Sequence, residues 1–396
     1  MTSSRSGIDR REFLKLGTAT SGLVVACGRG AGETRSAGAP AEMRYRPLGA
    51  TGLQVSELSF GAHGVDNPPL MAAALDAGIT TVCTSGRYLD GREEEALGGA
   101  MAKLGSRRDQ VVVFTGNEHR PGDTKQTIMG DIDACLRRLR TDRIEVYYNA
   151  QVRTPADVLF EPMLEAFDAA RSAGKVLHLG MSGHSGGMQP CLEAAITEEL
   201  YDVLFIKYDF VSYPDQDEIL RRAAQRGMGI AVFKTNAGHR QQEIKDLEAG
   251  GLSFPQATVK WALTNPAVAT VTITFKNFDQ IREYTAAVGS RLVRSEVEML
   301  RRYAGEMYNK YCRFCGTCEG SCPNEVAVAD VMRYAMYFQY YGREKHAMRQ
   351  YNALTPQCTA AGCAGCPGPC DAKCPFGRQV RAELVDAHRQ LTFSEA

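Results

Sequence analysis

The chain carries no excess of charge. Its 46 lysines and arginines balance 46 aspartates and glutamates over 396 residues. With no basic stripe in any segment, that balance excludes an electrostatic binder of nucleic acid. A long apolar run is also missing. The weakly apolar stretch from Leu16 to Ala26 falls short of the roughly 20 residues that a permanent membrane-spanning helix needs. The hydrophobic share, 44%, is ordinary for a soluble globular protein. The length suits one large domain and a small one.

Cysteine is what the chain has in quantity, and most of it lies in one place. Nine of 13 cysteines fall between Cys312 and Cys374. The first four read Cys312-x2-Cys315-x2-Cys318-x3-Cys322-Pro323, the bacterial ferredoxin run: three thiolates for one [4Fe–4S] cluster and a fourth for the other. Two-residue gaps let a tight loop wrap three sulfurs around one cube, and the fourth leaves in a new direction. A disulfide framework is the alternative for a cysteine-dense segment, but disulfide loops do not need this register. The second group reads Cys358-x4-Cys363-x2-Cys366-x3-Cys370-x3-Cys374-Pro375 and is less regular. The interleaved two-cluster rule gives Cys312, Cys315, Cys318 and Cys374 to one cluster. It gives Cys363, Cys366, Cys370 and Cys322 to the other. Cys358 either replaces Cys363 or is a spare thiol. Between the groups, residues 326–351 carry apolar side chains at helical spacing and read as one helix. Its tyrosines, Tyr334 to Tyr341, read as core.

The N-terminus reads as an address. Asp9-Arg10-Arg11-Glu12-Phe13-Leu14-Lys15 is a twin-arginine sequence, and a Tat export signal over residues 1–27 is expected. Tat carries folded proteins, which suits a chain that takes up its clusters before export. Val24-Val25-Ala26-Cys27 resembles a lipobox, so a membrane tether through a lipidated Cys27 is expected. Residues 28–44 read as a flexible tether. The expected location is the periplasm or the membrane surface.

From Tyr45 to Ala287, β-type runs alternate with helix-period segments. Strands are expected at Leu58–Ala62, Thr80–Cys83, Val111–Thr115, Ile144–Tyr148, Val176–Met181, Val203–Ile206, Ile230–Phe233 and Ala269–Ile273. Helices fall between them, among them Pro155–Ala173, with turn signals such as Ala77-Gly78 and Asn265-Pro266 at the joins. The pattern implies an α/β fold, a TIM (β/α)8 barrel over residues 45–305, with its chemistry on the loops that follow the strands. A small α-helical, ferredoxin-like iron–sulfur domain is expected over residues 306–396.

These segments resemble the aldo/keto reductases in the version with a C-terminal ferredoxin-like domain. The matching stretches are Tyr45-Arg-Pro-Leu-Gly-Ala-Thr-Gly-Leu-Gln-Val-Ser-Glu-Leu-Ser-Phe-Gly61, Gly174-Lys-Val-Leu-His-Leu-Gly-Met-Ser182 and Lys260-Trp-Ala-Leu-Thr-Asn-Pro-Ala-Val268. The resemblance implies a catalytic Asp, Tyr, Lys and His, with NADPH as hydride donor. Laid on this chain, Cys83 stands at the Asp position, Tyr88 at the Tyr, Gly116 at the Lys and Ala150 at the His. Only Tyr88 is kept. A phenol without a nearby cation holds its proton up to about pH 10, so the family's carbonyl reduction is expected to be impaired. Ser182 and Lys276 are the retained candidates for holding NADP(H). Phe205 and Tyr284 stand where the family has a Gln and an Asn, and binding of the nucleotide is left open.

Other polar groups are expected at the mouth: His63, Arg87, Asn117, Glu118, His119, His184, Lys207, Asp209 and Lys234. Tyr88 with His184 or Lys234 is expected to handle protons. Cys83, Cys135 and Cys191 read as buried core. Two functions fit the whole. One is an exported oxidoreductase that takes a small organic substrate, uses one or two clusters and meets a redox partner protein. The other is an electron-transfer or scaffold subunit that keeps the barrel as a binding module.

Overall fold

The computed structural model describes residues 42–183, 188–211, 216–236, 248, 252–307 and 312–392. The export signal, Cys27 and His184 lie outside the described residues.

A short antiparallel hairpin comes first, β1 (Tyr45–Pro47) and β2 (Gln54–Ser56). The tight turn between them needs Gly49, at φ +54°, where a Cβ would sit 2.3 Å from the carbonyl oxygen of Gly227. The hairpin had no place among the expected strands, because three-residue strands leave no readable alternation. It delivers Leu48, fully buried, beneath the start of the barrel strand at Gly229. The hairpin therefore closes the end of the barrel away from the site.

Eight parallel strands follow: β3 (Leu58–Gly61), β4 (Thr81–Cys83), β5 (Val112–Asn117), β6 (Ile144–Asn149), β7 (Val176–Gly183), β8 (Val203–Lys207), β9 (Gly229–Phe233) and β10 (Thr270–Thr274). They close in chain order, with β10 pairing both β9 and β3. Side chains alternate across each strand. One set points out to the helices and the other fills the barrel. The inner set includes Cys83, Phe114, Val146, Tyr148, Phe205 and Ala231. The aromatic members pack edge to face: Phe205 lies 5.4 Å from Tyr148 and 4.8 Å from Phe233 between ring centroids. The barrel is thus a packed core, and space for chemistry exists only at its ends.

The helices fall where the periodicity placed them, with two exceptions. The segment expected as one helix over Pro155–Ala173 is two, Pro155–Val158 and Glu161–Ser172. Thr154 and Asp157 form a capping box that starts the first, and Pro162 sits in the first turn of the second. The helix expected over 326–351 is also two, Val328–Tyr340 and Glu344–Asn352. Gly342, at φ +60°, makes the break. Helices Arg294–Met307 and Val380–Leu391 complete the chain. Beyond residue 307 the described residues form helices and short 3-10 turns and no strand.

Candidate active site at the capped barrel mouth

The C-terminal segment lies over the strand ends of the barrel. Arg313 donates to the carbonyl oxygen of Val211, just past β8. Lys207, at the end of β8, sits with its ammonium 5.1 Å from the centre of the Phe314 ring. Arg153, past β6, pairs with Asp330 at 3.5 Å and with Glu118, past β5, at 3.5 Å. Lys234, past β9, donates to the hydroxyl of Tyr337. The contacts come from three loops around the mouth, so the segment forms its roof.

Under that roof the family's tyrosine position is present but constrained. Tyr88 opens a 3-10 turn, Tyr88–Gly91, in which Leu89 and Asp90 both take left-handed backbone angles. It is half-buried. Burial, with Glu93, Cys83 and Tyr337 nearby, pushes its pKa well above the ordinary phenol value, against a hydrogen bond with Tyr148. Its ring meets His63 edge to face at 4.6 Å. Burial, then the charges of Arg343, His346 and Lys234, lower the His63 pKa to about 3, so its imidazole is neutral. Its Nδ1 is buried without a hydrogen-bond partner. A buried polar atom with no partner costs roughly 1–3 kcal/mol, which a bound polar ligand would recover.

The lysine position is closed. A Cβ on Gly116 would stand 1.9 Å from the Tyr148 carbonyl oxygen and 3.0 Å from the Tyr148 ring. No longer side chain fits there unless β6 moves. Cys83, at the aspartate position, is 3% exposed and shares a 3.3 Å hydrogen bond with Thr272. Burial pushes its thiol up to about 12, so it is core and not a nucleophile. Cys135 and Cys191 are fully buried as well.

Of the other expected polar groups, several are tied to each other. His119 shares a 3.0 Å hydrogen bond with Tyr147. Lys207 pairs with Asp209 at 3.0 Å. Glu118 is nearly buried and collects Arg87, Arg120 and Arg153. Asn117 Oδ1 is buried without a partner, but it lies beside Gly86 and Arg138, outside the barrel. Ser182 is buried at the end of β7, and Lys276 is exposed past β10. Phe205 belongs to the inner aromatic stack. Tyr284 packs on Phe275 at 5.4 Å as core.

Lys234 and Tyr337 are different. Lys234 holds a left-handed φ of +57°, a conformation that costs a non-glycine residue energy and that persists only where its surroundings hold it. Its ammonium lies 4.8 Å from the centre of the Tyr337 ring as well as on its hydroxyl. Burial lowers the Lys234 pKa to about 8, helped by Arg333 and Lys207. Burial alone would raise Tyr337, but the cations of Lys234 and Arg333 outweigh it and bring it down to about 8. The sequence reading placed Tyr337 in the core. It is only 6% exposed, yet its hydroxyl is engaged by a cation. A signal was available: Asp330 and Arg333 interrupt an otherwise apolar helix, one turn before Tyr337.

Eight of the C-terminal cysteines gather in two groups. Cys312, Cys315, Cys318 and Cys374 line one narrow pocket, with Phe376, Val328 and Val380 among its other walls. Cys363 lies within electrostatic reach of Cys322, Cys366 and Cys370. Cys358 lies in neither group. It ends a 3-10 turn, Pro356–Cys358, and its carbonyl oxygen accepts from the backbone N–H of Ala327. All 12 described cysteines are free thiols, not disulfides. Among the described residues, no three His, Cys, Asp or Glu side chains converge on one point as a single ion requires. Zinc would need its sulfurs about 2.3 Å from that point. Four cysteine sulfurs facing one pocket are the donor set that an iron–sulfur cluster takes.

A closed parallel barrel whose strand ends carry a tyrosine, a histidine and a lysine belongs to the (β/α)8 class of folds. The comparisons narrow this. Residues 66–238 match the aldo/keto reductase family. A probable voltage-gated potassium channel subunit beta of Oryza sativa is 35% identical over 120 residues, 27% of this chain and 37% of the relative. The chain therefore spans little more than a third of that relative's length. An uncharacterized oxidoreductase of Bacillus subtilis, YqkF, is 25% identical over 304 residues, 66% of this chain and 96% of the relative. Among solved structures, an aldo-keto reductase from Bacillus halodurans in its holo form aligns with a TM-score of 0.55 at 22% identity. That alignment covers 66% of this chain and 96% of the other, and it bears on the fold alone.

Proposed function

We propose that the protein is an oxidoreductase of aldo/keto reductase type whose barrel mouth is roofed by an iron–sulfur domain, with two [4Fe–4S] clusters on the interleaved cysteines. One observation carries this reading. Cys312, Arg313 and Cys315 wall the four-thiol pocket, and the same run touches the mouth, through Arg313 on Val211 and Phe314 under Lys207. When bound, such clusters supply one-electron transfer.

The chain's own residues do the rest. The roof keeps bulk water from the mouth, which strengthens every electrostatic interaction inside. His63 offers its unpartnered Nδ1 to a small organic substrate. Tyr88 packs beside it and orients it. Lys234 and Arg333 surround the pocket with positive charge and favour a ligand oxygen that gains negative charge. Ser182 and Lys276 are the residues that would hold NADP(H), and no step is assigned to it. With Gly116 closed to a lysine, the standard tetrad is not the route. Tat export, a lipid tether at Cys27 and a protein redox partner belong to the same reading, since an exported enzyme has no free nicotinamide pool.

Iron and sulfide analysis of anaerobically purified full-length protein tests it. About eight irons per chain are expected, with a reduced-cluster signal in electron paramagnetic resonance. Cys374→Ser and Cys322→Ser should each lose about half of the iron, and Cys358→Ser none. A native protein with less than one iron per chain and no such signal overturns the reading.

A further inference from the structure

We propose that Tyr337, held by Lys234, is the proton-transferring group of the barrel mouth, so that the C-terminal domain supplies the acid and base that the barrel has lost. This rests on the reading that a small organic substrate binds at the mouth. It extends that reading from where the ligand sits to which group moves its proton.

The barrel cannot do the work alone. A phenol acts as an acid near neutrality only if a cation stabilises its phenolate. Among the described residues no lysine is placed on Tyr88, and the place for one, at Gly116, is filled by Tyr148. Tyr337 has what Tyr88 lacks. Lys234 reaches it from the end of β9, and Arg333, one helical turn earlier, stands 6.0 Å from its ring centre. Arg333 is fixed in turn by Asp330, which Arg153 ties to the barrel. The lysine and tyrosine are 103 residues apart in the chain. They form one unit across the domain boundary, and the strained backbone of Lys234 shows that its position is imposed.

The groups facing Tyr337 come from every side. Tyr334 and Arg333 share its helix, and Tyr341 meets its ring at 5.5 Å. His346 lies 5.9 Å away, between ring centroids, on the next helix. Arg343 donates its backbone N–H to the Tyr337 carbonyl oxygen. Tyr88 and His63 approach from the barrel, His63 at 6.4 Å from His346. Burial favours the protonated phenol, and the Lys234 and Arg333 cations oppose it and outweigh it. The transfer balances within the site. The Tyr337 O–H bond breaks as an O–H bond forms on the ligand oxygen, and the phenolate left behind is neutralised by the Lys234 ammonium. The ligand class that suits this is a carbonyl compound or its alcohol.

The test is a pH titration by carbon NMR of full-length, anaerobically purified protein with tyrosine labelled at Cζ. One tyrosine should titrate near pH 8. It should vanish in Tyr337→Phe and persist in Tyr88→Phe. It should rise to about pH 10 or above in Lys234→Met and stay low in Lys234→Arg, which keeps the cation. The proposal is overturned if no tyrosine of the native protein titrates below about pH 10. It is equally overturned if the low one survives Tyr337→Phe. Iron content is read on the same samples. A normal titration with no iron would sink the iron–sulfur reading and leave this one standing, and the reverse result would do the opposite.

Discussion

Glu93 is fully buried at the start of the helix Arg92–Met101, where it accepts the backbone N–H of Gly64 and so holds the loop that carries His63. Burial raises its pKa from 4.5 to about 8, against hydrogen bonds from Gly64 and Val65. The folded protein therefore prefers the protonated acid. Its stabilising contribution is complete below about pH 4.5, where both states are protonated, and is lost as pH rises toward 8. Glu93→Gln keeps an acceptor for Gly64 but carries no titrating proton. Thermal melts of both proteins from pH 5 to 8 should show the native protein losing ground to the variant as pH rises. A gap that stays constant with pH would contradict this. Glu93 also marks the limit of residue-level reading. Its neighbour Glu94 pairs with Arg138 at 2.6 Å, and nothing in Arg-Glu-Glu-Glu tells which acid is ionised. Tyr337 shows the same limit. Tyrosine at helical spacing reads as core, and only the closed barrel brings Lys234 to it.

At the level of elements the sequence is read with more certainty, because a strand buried on both faces leaves a short apolar run and a helix leaves a period. All eight barrel strands fall within two residues of their expected ends. What failed were joins that hinge on one or two residues: the break at Gly342, the interruption between Val158 and Glu161, and the hairpin around Gly49. The first of these matters for function. Splitting the long helix turns Glu344–Asn352 back, so that His346 faces Tyr337. The helix Val328–Tyr340 is then held over the mouth by Arg153, which bridges Glu118 and Asp330. Arg153→Ala leaves Asp330 with Arg333 alone and Glu118 with two arginines. Because Arg153 is a third exposed, the loss should be moderate, about 2 kcal/mol locally. Hydrogen exchange of residues 328–340 should quicken accordingly while the barrel strands keep their protection. Equal acceleration everywhere would mean that Arg153 supports the whole fold and not the roof.

For the molecule as a whole, the two halves are stabilised by different means. The barrel buries a large core, which runs on into the C-terminal segment through residues such as Val328 and Met332. The segment from Cys312 to Cys374 has short 3-10 turns, many glycines and nine thiols. Its own helices lean on the barrel on one side and on the cysteine cavity on the other. Burial raises Cys312 to about 12 and Cys363 to about 11. As bare thiols they stay protonated. Iron binding requires thiolates and releases those protons, so its free energy becomes folding free energy for this segment alone. Removal of iron by a chelator under reducing conditions should then open residues 312–374 to rapid hydrogen exchange. The barrel strands, β3 to β10, should remain protected. Because the roof is fixed to the mouth by Lys234 and Arg313, the same treatment should release both. The tyrosine titrating near pH 8 should move toward the ordinary phenol value as Tyr337 loses its cation. If instead the whole chain unfolds in one step, the clusters hold the barrel together as well, and the roof is part of its core.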